Sequence, residues 1–348
     1  MQRVPTVALV SFRLGGGDGV SVESAKWADA LGELGWTVMT VAGSGPVDTL
    51  LPGLAMDAPE PPSKGQLVDA LAPADLVVIE NLCSLPLNPA AGNLVAAACA
   101  GRPTLLRHHD LPWQRPHLAH FPPPPDDPLW AHVTINELSR TELSEHGIGA
   151  TTIYNTFDPE PVPGDRRRTR AALGVAPHTC LLLQPTRALP RKNVAGGLAL
   201  AAAVAGDYWL LGPAEDGYGP ALERLVAGAA CPVHLGTGAA RISIADAYAA
   251  CDVVVLPSTW EGFGNPSVES ATYRRPLAIG TYPVASELAA FGFRWFDSAD
   301  PAPLMAWLTE PGGQLLDHNH RVATRHFNRA DLPGRLAEAI RRIPAHLG

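Results

Sequence analysis

Residues 253–274 read VVVLPSTWEGFGNPSVESATYR. Val253–Leu256 is a run of four apolar residues, three of them β-branched, as expected of a strand buried on both faces. Pro257, Gly262 and Gly264 then break the regular pattern and mark a loop. Pro266 suits the first position of a helix, and 267–274 reads as that helix. A strand that runs through a glycine-bearing loop into a helix is the repeating unit of a parallel, doubly wound α/β sheet. Ligands of such sheets gather where strands end and helices begin.

The same alternation extends both ways from this stretch. Strands are predicted at 180–183, 208–211, Val233–Leu235 and Leu277–Ile279, with helices at 193–204, 221–227 and Ile244–Ala250. The first half repeats the rhythm, with strands at 4–10, 36–41, 75–80, 104–107 and 132–135. Its helices fall at 21–34, 90–100 and 138–146, and Gly35 stops the first of them. Residues 155–164 are proline-rich and lack a period, which places a domain boundary there. The expected domains are 1–157 and 158–325, with 326–348 as a closing segment that carries a helix at 332–343. The prolines at 122–125 interrupt the first domain as a local insert.

A chain of 348 residues has the length of two domains. Hydrophobic residues at 46% and charged residues at 17% are globular proportions. A net charge of −8 excludes general binding to nucleic acid, which needs a basic surface. The basic cluster Arg166, Arg167, Arg168 and Arg170 reads as a solvated face, with contact to acidic phospholipid or an anionic acceptor as the alternative. Five cysteines without metal-ligand spacing read as reduced thiols, which favours the cytoplasm. The first residues do not read as a signal peptide, and no apolar run approaches the ~20 residues of a membrane span. Peripheral attachment at the inner face of a membrane stays open.

Within the opening stretch, Glu261 and Glu269 have seven residues between them. With Asn265 as the helix cap, Glu269 falls one position past the capping-box partner, and Glu261 has no capping role at all. Carboxylates accept hydrogen bonds in pairs and so match the paired hydroxyls of ribose and hexose. Free amides at a helix start suit a phosphate. A second group, Arg187, Arg191 and Lys192, follows the strand at 180–183, where clustered cations suit a diphosphate. In the first half, the 15–19 loop lacks the third glycine of a GxGxxG fingerprint. His108, His109 and Asp110 end the strand at 104–107, and Trp113 and Arg115 are candidates for contact with an acceptor. Asp18 could accept a hydrogen bond from an acceptor hydroxyl. No DxD element stands where a diphosphate–metal complex would need one.

These features together resemble the family-4 retaining glycosyltransferases of the GT-B fold, most specifically in EGFGNPSVE and in Arg187 with Lys192. The resemblance implies an α/β protein of two Rossmann-like domains facing a central cleft. It implies that Glu261 binds donor-sugar hydroxyls, Glu269 the ribose hydroxyls, and Arg187 with Lys192 the diphosphate. Gly262, Phe263, Gly264 and Asn265 would line the donor pocket through their amides. Gly16, Gly17 and Gly19 would close over the donor phosphates, and His109 would sit close to the donor sugar. The last helix would cross back to the first domain. The reaction implied is retaining, front-face transfer of a hexose-type sugar from a nucleoside-diphosphate donor. It would need no metal and no cofactor beyond the co-substrate. Uridine and guanosine donors both remain open, as do small-molecule, glycan and lipid acceptors. The alternatives are a nucleotide-sugar epimerase or a phosphorylase of the same fold, and a non-catalytic sugar-nucleotide-binding protein. An oxidoreductase is disfavoured by the missing fingerprint.

Overall fold

Two fully parallel sheets carry the chain. The computed structural model describes residues 3–237 and 242–344. Its contacts divide into two units, Met1–Asn155 with Ala330–Gly348, and Thr156–Arg329.

The first unit opens with β1 (Thr6–Arg13), α1 (Gly19–Glu33), β2 (Thr37–Ser44) and β3 (Thr49–Leu50). It continues through α2 (Lys64–Leu71), β4 (Leu76–Glu80), α3 (Pro89–Cys99) and β5 (Thr104–His108). β6 (Trp130–Thr134), α4 (Glu137–Glu145) and β7 (Ala150–Thr152) follow. The strand order is β3-β2-β1-β4-β5-β6-β7, with the reversal next to β1 that marks a doubly wound sheet. Every residue of β4 and β5 is buried, as expected of central strands covered on both faces. Local chemistry sets the helix starts. Asp18, Asn88 and Asn136 cap α1, α3 and α4, and Ser63 with Gln66 forms a full capping box on α2. Gly35, at φ 88°, follows α1 as its sequence position predicts.

The second unit begins with α5 (Arg166–Leu173), β8 (Leu181–Gln184), α6 (Val194–Ala203) and β9 (Asp207–Leu210). α7 (Gly219–Ala227), β10 (Val233–Leu235), α8 (Ile244–Ala250) and β11 (Val253–Leu256) come next. Then follow α9 (Pro266–Thr272), β12 (Leu277–Ile279), α10 (Pro283–Ala289) and β13 (Phe296–Asp297). The unit closes with α11 (Pro301–Thr309) and α12 (Gly313–His326). Its order, β10-β9-β8-β11-β12-β13, repeats the reversal seen in the first unit. Leu182, Val253, Val255 and Ala278 pack with Leu198, Leu200 and Ala201 of α6 in one apolar cluster. Each such side chain contributes about 1.5–3 kcal/mol on burial.

The chain then returns to the first unit in α13 (Leu332–Arg341). Leu332, Leu336, Ala339 and Ile343 join Trp27 and Leu31 of α1 in one core cluster.

The basic cluster at 166–170 is not a uniformly solvated face. Arg170 is buried and donates to the carbonyls of Ala250, Ala176 and Thr179. Arg166 donates to the carbonyls of Ala249, Ala250 and Cys251 and pairs with Asp252 at 2.6 Å. Both cations therefore satisfy the carbonyl-rich end of α8, where positive charge is favoured. The five cysteines are free, and burial pushes the Cys99 and Cys251 thiols up to about 11 and 12. Among the described residues, no helix is long and apolar enough to cross a membrane.

Candidate active site

In the second unit, two loops meet beyond β8 and β11. The β8 loop passes through a single turn, Pro190–Lys192, to Asn193 in the left-handed region at φ 46°. The Asn193 side chain caps α6 through Gly196 N at 3.2 Å and donates to Pro257 O at 3.1 Å. Thr259 N donates to Arg191 O at 2.9 Å, which ties the loops a second time. Gln184 Nε2 donates to Lys192 O at 3.0 Å, and Tyr208 Oη donates to Gln184 Oε1 at 2.6 Å. The backbone beneath Lys192 is thus held from inside the sheet.

On this frame Glu261 collects its partners. Lys192 Nζ and Ser258 Oγ donate to Oε1 at 2.5 and 2.6 Å, and Arg191 Nη1 donates to Oε2 at 2.7 Å. The Glu261 side chain is 6% exposed. Burial would raise its carboxyl, but Lys192 and Arg191 outweigh burial and hold it at about 2. Burial also pulls the Lys192 ammonium below its ordinary range; Glu261 opposes this, and the nearby charges of Arg191 and Arg187 add to it. Arg187 itself pairs with Glu215. Three cations stand close together here, and an anionic ligand would relieve their mutual repulsion.

α9 begins at Pro266, as its sequence predicts, but Asn265 makes no side-chain capping bond. The Glu269 carboxylate accepts from Tyr248 Oη at 2.8 Å. Tyr248 stacks on Tyr273 with ring centres 4.5 Å apart. Gly264 adopts φ 82°, and a methyl there would lie 2.6 Å from Tyr282 Oη. The Phe263 ring is core, not pocket: it packs between Phe157 and Phe327 at 6.1 and 6.0 Å. Only its backbone is then suited to a ligand. Gly262, between Glu261 and Phe263, is half-buried.

In the first unit, the glycine that the 15–19 loop requires is Gly15. It has φ 74°, and a methyl would lie 2.6 Å from Pro46 Cγ. Gly17 and Gly19 have open space around them, and a methyl at Gly16 would meet Asp18 Oδ2 at 3.2 Å. Asp18, a candidate for acceptor contact, is a helix cap. It accepts from Ser21 N and Ser21 Oγ at 3.3 and 2.7 Å and pairs with Arg13 at 3.1 Å. Trp113 is likewise committed, donating to Glu142 at 2.9 Å and stacking on His146 at 4.2 Å. Arg115 pairs with Asp110 at 2.7 Å.

His109 sits at the end of β5, with its Nε2 2.6 Å from Glu80 Oε2. Asn81, in the left-handed region at φ 62°, accepts from the backbone N–H groups of His109 and Asp110. Glu80 also pairs with Arg107 at 3.3 Å. Burial opposes the Glu80 charge, but Arg107 and the His109 hydrogen bond pull its carboxyl below the usual range. Arg107, fully buried, reaches Glu23 at 3.5 Å and Asn155 at 3.1 Å, and lies 4.2 Å over the Trp27 ring. His108 faces the other way, in a buried chain from Ser84 through His108 to His132. Burial and its neighbour His132 hold His108 well below its ordinary value.

No protein-family model matches the chain. Mannosylglucosylglycerate synthase of Thermotoga maritima is 25% identical, covering 92% of this chain and 96% of that protein. Its namesake in Petrotoga mobilis is 24% identical over 82% of this chain and 85% of its own length. Among solved structures, Anabaena HepE in complex with UDP-glucose superposes with a TM-score of 0.76 at 20% identity, covering 97% of this chain and 99% of HepE. Sucrose-phosphate synthase of Thermosynechococcus elongatus gives 0.74 at 15% identity, covering 97% and 98%. The chain has the GT-B fold.

Within this GT-B fold, the described residues contain no cluster of three His, Cys, Asp or Glu side chains arranged to hold a metal. Sequence reasoning passed over Glu215, Tyr248 and Ser258 as partners of the predicted groups, and did not pair Arg191 with Glu261. It also missed Glu80 and Arg107. Their signal was present: each is a charged residue near the end of an apolar strand, and the two stand in register on adjacent strands.

Proposed function

We propose that this chain is a retaining glycosyltransferase. It moves a hexose from a nucleoside diphosphate to an acceptor hydroxyl, without a metal. The observation that carries this reading is the buried cluster of Lys192, Arg191 and Glu261. Two cations and a carboxylate stand at the strand ends where a doubly wound sheet takes its ligand, which supports this reading. Relatives named for making mannosylglucosylglycerate, and a fold neighbour solved with UDP-glucose, support a nucleotide-sugar donor.

In this reading, the bond between the anomeric carbon and the diphosphate oxygen breaks. The acceptor oxygen bonds to that carbon on the same face, and its proton passes to the leaving diphosphate. Lys192 and Arg187 stabilise the charge that grows on the diphosphate, and losing such a group costs about 3–4 kcal/mol of transition-state stabilisation. Glu261 holds sugar hydroxyls and Glu269 the ribose. In the first unit, taken by itself, the His109 imidazole is backed by a buried carboxylate, a pairing suited to a hydroxyl partner.

A thermal-shift panel of uridine, guanosine and adenosine diphosphate hexoses tests the donor, because a ligand of the native state raises its stability. NMR of the product then reads the anomeric configuration. Stabilisation by none of the panel, or a product of inverted configuration, refutes the proposal. An epimerase would alter the donor with no acceptor present, and the same reaction run without acceptor separates the two.

A further inference from the structure

Tyr282 stands at the start of α10 and is 3% exposed, yet its hydroxyl has no hydrogen-bond partner. A buried hydroxyl without a partner is costly, and phenylalanine would fill the same space without that cost. The hydroxyl is directed at the Glu261 loop. A methyl on Gly264 would lie 2.6 Å from Tyr282 Oη and 3.5 Å from Glu261 Cγ, so both side chains approach one point that Gly264 leaves empty. The Glu261 carboxylate offers about four acceptor positions. Lys192, Ser258 and Arg191 occupy three of them.

From this geometry we propose that Tyr282 is a positioning residue for Glu261. Contact with donor-sugar hydroxyls turns the Glu261 carboxylate away from Lys192, its strongest partner, whose ammonium stays on the diphosphate. The Tyr282 hydroxyl then donates to that carboxylate and holds it against the sugar. The inference rests on the donor-site reading above and adds to it a group that acts only when a sugar is present.

The test compares Tyr282→Phe with the unmodified full chain, by calorimetric titration of UDP-glucose and of UDP, with the guanosine pair in parallel. The expected result is unchanged UDP affinity and UDP-glucose affinity reduced roughly five-fold, the value of about one hydrogen bond. The unliganded variant should melt at the same temperature or higher, because an unpaired hydroxyl has been removed. Equal loss for UDP and UDP-glucose, no loss for either, or a lower melting temperature each overturns the assignment. An unmodified chain that binds neither sugar nucleotide removes the donor reading and this inference with it. An unmodified chain that binds while Tyr282→Phe is indistinguishable from it removes Tyr282 alone.

Discussion

Glu261→Gln keeps the shape of the side chain and removes its charge. The fall of the Glu261 carboxyl from an ordinary 4.5 to about 2 corresponds to about 3 kcal/mol, at ~1.36 kcal/mol for each factor of ten in proton affinity. A second route gives the same size: removing one partner of a buried ion pair costs about 3–5 kcal/mol, because the other charge stays buried. The depressed value fixes the sign of the pH dependence. The stabilisation is fully present above about pH 4.5 and is lost as pH falls toward 2. Thermal unfolding at pH 7 should therefore place Glu261→Gln roughly 6–12 °C below the unmodified chain. Repeated at pH 3, the same pair should differ by less than half as much. A gap under about 1 kcal/mol at pH 7 refutes the argument, as does a gap that fails to close in acid.

Other substitutions probe the remaining groups. Lys192→Ala should lower the transfer rate roughly 10²–10³-fold in initial-rate assays, because it removes charge from the leaving diphosphate. Glu80→Gln should cost about 3–5 kcal/mol in urea unfolding, because Arg107 stays buried with its nearest strand partner neutralised. Tyr248→Phe should weaken binding of every ribose donor by about 1 kcal/mol by titration, through loss of the hydrogen bond that orients Glu269. Dialysis against chelator should leave the transfer rate unchanged, and rescue by an added divalent cation would overturn the metal-free mechanism.

The sheets were legible because central strands of parallel sheets are apolar throughout. LVVIE at β4 and VVVL at β11 announce themselves. The edge strands β3, β7 and β13 did not, since they span two or three residues and lack an apolar run. α12 was missed because its polar face carries most of its residues, with His, Arg, Asn and Asp obscuring the buried Asn319, His320 and Ala323. Glu261, Arg187 and Lys192 were legible as residue types in loops beyond strand ends, and Glu269 as one on the helix that follows. What each touches was not. Spacing along the chain could not show that Arg187 faces Glu215, or that Arg191 is the second cation on Glu261. Asp18 and Trp113 show the converse, in which polar groups beside a suggestive loop are used up by local structure. Arg166 and Arg170 misled for a similar reason, while Arg167 and Arg168 are exposed as their neighbours suggested. A cation that satisfies backbone carbonyls looks, in one dimension, like one that faces water.

The interrupted connectivity of the first unit sets an order of synthesis. Residues 156–329 are continuous, so that unit is complete once its last residue has left the ribosome. The earlier-made unit is not. Trp27 and Leu31 wait for the part of their cover that Leu332, Leu336 and Ala339 supply, a delay on the order of 10–40 s at ~5–20 residues per second. The half translated first is therefore the half finished last, and a nascent chain halted near residue 329 should present that apolar face to chaperones.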